Sequence, residues 1–152
     1  MEHIVRKANR EDLESLKDFM GTTEVKLHDL ESWIDFCLLA SDAESGVLKG
    51  TIGIQPFADS GLLRALVLKE GSAEEILYLL QQAIKLAKEK NLGMLYCVVN
   101  NKNASNLFYL LGFKEINVED LPVDVRESST VNAMKVVNNS KIMYYSINNV
   151  DN

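Results

Sequence analysis

Histidine, cysteine and proline are scarce in this sequence, with two of each among 152 residues. Cys37 and Cys97 lie far apart, and neither has a second cysteine or histidine at the spacing that metal sites use. We therefore expect two buried, reduced thiols, the usual state of free cysteine in a protein core. His3 and His28 offer too little for a zinc site or a histidine-based catalytic triad. The sequence predicts no metal centre.

Positive charge and long apolar runs are also lacking. Lysine and arginine number 16 against 22 aspartates and glutamates, which gives a net charge of -6. A chain this acidic lacks the basic surface that binds nucleic-acid phosphates, and anionic membranes repel it. No signal peptide is visible at the N-terminus, and no apolar run reaches membrane length. We expect a cytoplasmic protein, monomer or homodimer, with no nucleic-acid or membrane partner.

The sequence does contain enough apolar material for one packed core. Hydrophobic residues make up 47% of the chain and charged residues 25%, a balance typical of globular domains. The length suits one domain, and no linker or repeat divides it. We therefore predict a single domain over residues 1–152, with a frayed, asparagine-rich tail at 148–152.

Hydrophobic periodicity predicts an alternation of strands and helices. In the first half, the predicted elements are a strand at 3–8, helices at 10–20 and 27–40, a bent strand or hairpin at 47–57 and a strand at 62–68. In the second half, they are a helix at 72–90, a strand at 94–99, a short helix with Leu107 and Leu110, a strand at 113–118, a helix near Pro122 and a last strand at 141–147. The strands at 62–68 and 94–99 are almost continuously apolar, as strands buried on both faces are. With the long helix between them, they predict a parallel pair with a right-handed crossover.

One segment carries a family resemblance. The run Asn101-Lys-Asn-Ala-Ser-Asn-Leu-Phe-Tyr-Leu-Leu-Gly-Phe113 resembles the pattern Asn-x-x-Ala-x-x-Leu-Tyr-x-x-x-Gly-Phe of the GNAT superfamily of N-acetyltransferases. The order of elements over about residues 3–147 is similar to that superfamily as well. The resemblance implies an α/β (mixed α+β) fold: a mostly antiparallel central sheet with a splayed parallel strand pair, flanked by helices. Residues 61–64 and 121–128 are weakly similar to an arsenic-resistance-type subgroup.

The resemblance also implies acetyl-CoA as co-substrate. In the superfamily, backbone groups of the fourth strand pair with the pantetheine arm, and the N-terminus of the next helix receives the pyrophosphate. The candidate cofactor-binding residues that follow are Leu66, Val67 and Leu68 for the arm, Gly71, Ser72 and Ala73 for the pyrophosphate, and Asn101 and Phe108 in the matched segment.

The loop before that helix departs from the superfamily's glycine-rich pattern. Only Gly71 remains, and the superfamily's arginine has no clear counterpart. Glu70, Glu74 and Glu75 bring negative charge to the place where two phosphates would bind. The same acids also suit the first turn of a helix, so both interpretations stay open. We expect acetyl-CoA to bind weakly, or not at all, in the superfamily's usual mode.

A second departure concerns the general acid. Many members of the superfamily have a tyrosine where this chain has Phe108, and its hydroxyl protonates the departing thiolate. Tyr109 is the candidate catalytic residue here, although one step along a helix turns a side chain by about 100°. Glu24 lies between the first two predicted helices, where the superfamily often forms its acceptor site. No general base is identified.

Three functions remain open on this sequence. The leading interpretation is an acetyl-CoA-dependent N-acyltransferase that transfers an acyl group directly to a small amine. The alternative is a non-catalytic module of the same fold that binds a partner or another ligand, which the acidic, glycine-poor loop favours. A third is an acyltransferase with a smaller or non-nucleotide donor, which would explain the altered loop.

Overall fold

A computed structural model of the chain describes residues 3–21, 30–100, 102–134 and 140–147. The strands are β1 His3–Lys7, β2 Cys37–Asp42, β3 Leu48–Phe57, β4 Ser60–Leu68, β5 Met94–Val99, β6 Lys114–Ile116 and β7 Lys141–Ser146. The helices are α1 Leu13–Gly21, α2 Ala73–Glu89, α3 Lys102–Leu110, α4 Val123–Arg126 and α5 Ser129–Met134. Within these described ranges, no helix is both long and apolar enough to cross a membrane.

The chain divides into two compact units, and the first comprises residues 1–55 and 64–86. Its strands follow the order β1-β2-β3-β4, and β2 pairs antiparallel with both β1 and β3. The core of this unit includes Leu16 and Phe19 from α1, together with the buried Trp33, Ile34 and Leu39. The amphipathic pattern of α1 therefore buries one face of the helix in this core.

The second unit comprises residues 56–63 and 87–152. The start of β4 pairs in parallel with β5, with Ser60 opposite Met94 and Leu62 opposite Tyr96. β5 then pairs antiparallel with β7, and β7 with β6. The predicted parallel pair is confirmed, and so is the fold class: a mixed α+β fold with a mostly antiparallel sheet, one parallel strand pair and flanking helices.

The predicted helix at 27–40 is wrong over its described part. Leu30–Ser32 and Ile34–Phe36 form short 3₁₀ turns, and Cys37–Asp42 is strand β2. The first four residues of β2 are all buried, because the strand lies between β1 and β3. Such a strand is apolar at consecutive positions, which periodicity alone does not separate from a buried helix. Residues 22–29, with the expected Glu24, lie outside the described part.

Side-chain caps are present at the starts of the helices predicted at 10–20 and 72–90, and the first of these begins with a 3₁₀ turn at Arg10–Asp12. The Asn9 side chain accepts from the Glu11 amide, and Asp12 completes a capping box at the 3₁₀ turn that leads into α1. At α2, the Glu75 amide donates to Ser72 Oγ at 3.2 Å, and Ser72 supplies the cap that its position predicts. The polar residues before each helix thus satisfy amides that the helix itself leaves without partners.

Candidate functional site

The end of β4 carries the residues predicted to bind the donor's arm. Leu66, Val67 and Leu68 are half-buried and lie in the last part of the strand. Immediately after them, the Lys69 amide donates to the Lys49 carbonyl at 2.8 Å, so the chain stays attached to β3 as it leaves the strand. This hydrogen bond therefore holds the backbone to β3 up to the start of the loop that leads to α2.

The loop from Lys69 to Ser72 is tight, with a positive φ angle at Glu70 and a close side-chain approach at Gly71. Glu70 has a positive φ of 60°, and its carboxylate lies 3.5 Å from the Lys49 ammonium. A Cβ added at Gly71 would overlap the side chain of Leu68. Gly71 therefore allows Leu68 to fold back over the loop, which accounts for the single glycine that this loop retains.

Ser72 and Glu75 form a reciprocal capping box at the start of α2. The Ser72 amide donates to Glu75 Oε1 at 3.0 Å, in addition to the bond from the Glu75 amide to Ser72 Oγ. The bond from the Ser72 amide lowers the pKa of Glu75, and the nearby His3 lowers it further. One of the amides predicted to bind pyrophosphate thus already has a carboxylate partner within the helix.

His3 and Glu75 form a hydrogen-bonded pair that sequence reasoning missed. The second carboxylate oxygen of Glu75 lies in contact with His3 Nδ1, and the His3 side chain is 7% exposed. The pair ties β1 to the first turn of α2 across 72 positions of sequence. The spacing of Ser72 and Glu75 predicts the capping role of Glu75. No local pattern predicts that His3 lies beside it.

A cleft opens next to this helix start. Its volume is about 550 Å³, and residues of β1, β2, β4 and α2 or their flanking loops line it. The lining residues are His3, Ile4, Val5, Ala40, Ala43, Leu68, Ser72, Glu74, Glu75, Tyr78 and Leu79. Two predicted cofactor-binding residues, Leu68 and Ser72, are among them, whereas no described residue of the segment 101–113 is.

The second unit holds the predicted acid and its neighbour. Phe108 is buried and packs edge-to-face against Phe113, with ring centroids 5.0 Å apart. Tyr109 is exposed, and its hydroxyl donates a hydrogen bond to the Glu115 carboxylate, which raises the pKa of Tyr109. The side chains of Phe108 and Tyr109 thus point into different surroundings, as their helical offset predicts. Asn101 lies outside the described residues.

Arg64 is a further polar residue within the core of the first unit. Its guanidinium donates to Gln55 Oε1 at 2.9 Å and lies over the Trp33 ring, 5.6 Å from the ring centroid. Burial lowers the pKa of this half-buried arginine. An aromatic face and an amide oxygen stabilise a cation at such a position, because both offer it negative potential.

Both cysteines are buried and free of disulfide bonds, as predicted. Burial raises the pKa of the Cys37 thiol to about 12, and it also raises the pKa of Cys97. Neither thiol is therefore a thiolate nucleophile at neutral pH.

Solved structures of similar shape are acetyltransferases. N-acetylglutamate synthase from Neisseria gonorrhoeae, complexed with coenzyme A and N-acetyl-glutamate, matches 97% of this chain with a TM-score of 0.72 and 20% identity. The chain spans only 35% of that protein's length. A GNAT-family acetyltransferase from Staphylococcus aureus matches 96% of this chain and 99% of its own, with a TM-score of 0.67 and 18% identity.

A third structure is the PaiA N-acetyltransferase from Thermoplasma acidophilum in complex with coenzyme A. It matches 96% of this chain and 99% of its own, with a TM-score of 0.60 and 21% identity. No protein-family model matches the sequence, and no curated protein sequence matches it significantly. At these sequence identities, the comparison shows that this chain and the three structures share a fold.

Proposed function

We propose that this chain, which has the GNAT fold, is an acetyl-CoA-dependent N-acyltransferase that acts on a small amine. One observation carries the proposal: β4 pairs in parallel with β5 and leads through a four-residue loop into α2. This arrangement presents strand backbone and helix N-terminal amides in succession, which suits a donor with an amide-rich arm and a pyrophosphate.

Two segments of the first unit would bind different parts of such a donor. Backbone groups at Leu66–Leu68 would pair with the arm, and the amides of Gly71 and Ala73 would face the pyrophosphate. Acetyl-CoA supplies a thioester: the neutral amine attacks its carbonyl, a C–N bond forms, the C–S bond breaks, and the amine's proton passes to the departing thiolate. Backbone N–H groups near that carbonyl are the groups that would polarise it.

The phosphate end of this site fits its ligand poorly. The Ser72 amide is bound to Glu75, and Glu70 and Glu74 add negative charge around the same loop. Lys49 compensates in part, since its ammonium lies 3.5 Å from Glu70. We therefore expect weak binding of acetyl-CoA, with most of the weakness at the phosphate end, where salt screens the repulsion.

Calorimetry with acetyl-CoA tests this proposal. The wild type is compared with a variant carrying Glu70→Gln, Glu74→Gln and Glu75→Gln, which keeps side-chain shape and removes three charges. We expect the variant to bind about tenfold more tightly, since each exposed charge contributes a few tenths of a kcal/mol. A control variant with Glu11→Gln, Glu14→Gln and Glu44→Gln has the same net charge and should bind like the wild type.

The outcomes separate the candidate functions. Thiol release from acetyl-CoA in the presence of a panel of small primary amines would support the acyltransferase. Micromolar binding by the wild type, with the same affinity in the loop variant, would refute the expected weak binding of the pyrophosphate. If neither form binds acetyl-CoA and no thiol is released, the acyltransferase proposal fails.

The second candidate is a non-catalytic module of the GNAT fold. The observation that favours it is the chain of contacts from Ser72 through Glu75 to His3, which uses the helix N-terminus for internal capping. A helix start that is capped by its own carboxylate has less capacity to bind an outside anion.

A further inference from the structure

We draw no further inference here: the strongest candidate, the cleft lined by β1, β2 and the first turns of α2 together with the contact between His3 and Glu75, belongs to the site already described, and among the described residues no buried side-chain nitrogen or oxygen lacks a partner that a further ligand would supply.

Discussion

The hydroxyl of Tyr109 already has a partner, since it donates to the Glu115 carboxylate on the protein surface. At the scale of one residue, that contact opposes a role as general acid, because a proton donor to a thiolate must be free to face the reacting atoms. The neighbouring Phe108 has no hydroxyl and is buried against Phe113. We therefore expect neither position to supply the acid that many members of the GNAT superfamily use.

We predict that Tyr109→Phe leaves any acetyltransferase turnover within about tenfold of the wild type, because a positioned acid contributes about 100-fold or more. Steady-state thiol release gives kcat for both forms. Tyr145→Phe, which removes another hydroxyl and keeps the ring that packs on Phe113, is the control. A loss of several hundredfold in kcat, with an unchanged thermal melt, would identify Tyr109 as the acid.

Sequence reasoning at this scale succeeds where partners are close in the chain. The Ser72 cap follows from local spacing, and the different surroundings of Phe108 and Tyr109 follow from helical rotation. It fails for His3, whose partner Glu75 is 72 positions away. Such a pair is set by how strands and helices pack, and a single sequence contains no direct signal for it.

At the scale of elements, the N-terminus of α2 depends on its capping box. Ser72→Ala removes the oxygen that accepts from the Glu75 amide, so we predict that the free energy of unfolding falls by about 1 kcal/mol. Urea unfolding followed by circular dichroism measures the change. Ser15→Ala, in an exposed position inside α1, should be neutral or slightly stabilising, because alanine favours helix interiors. Equal midpoints for Ser72→Ala and wild type would contradict the role of the cap.

The elements differ in how well the sequence determines them. α2 and β5 end within a residue or two of their predicted limits, since a long amphipathic helix and a continuous apolar strand have distinct patterns. Residues 37–40 of β2 were predicted as part of a helix, because Leu30, Trp33, Ile34 and Cys37 repeat at a spacing that indicates a local preference for one. Hydrogen bonds to β1 and β3 outweigh that preference, and these bonds depend on tertiary structure.

At the scale of the whole molecule, ionised carboxylates make stability depend on pH. The pKa of Asp12 is lowered mainly by its bond to Arg6, that of Asp42 by the Ser45 amide, and that of Glu75 by the Ser72 amide. A lowered pKa in the folded state means that these groups stabilise the fold above their unfolded pKa, near 4. That contribution is lost as the pH falls through the folded pKa.

We therefore predict that the urea midpoint is constant near neutral pH and falls steadily below about pH 5. Asp12→Asn should make the midpoint fall less steeply in acid, because it removes one of these carboxylates and its pair with Arg6. Asp18→Asn, in an exposed part of α1, should keep the wild-type slope. A midpoint that rises on acidification would contradict the sign of these pKa shifts.

The strand order of the second unit has a consequence for synthesis on the ribosome. β7 is the last strand in the chain, yet it lies between β5 and β6. While the chain grows, the edge of β5 that later pairs with Lys141–Ser146 has no partner, and it exposes unpaired backbone N–H and C=O groups to other nascent chains. The first unit, by contrast, is complete in sequence by Leu86. A polypeptide that is terminated shortly before residue 141 therefore contains all residues of the first unit but leaves this edge of β5 open, which makes it a substrate for chaperones or a seed for aggregation.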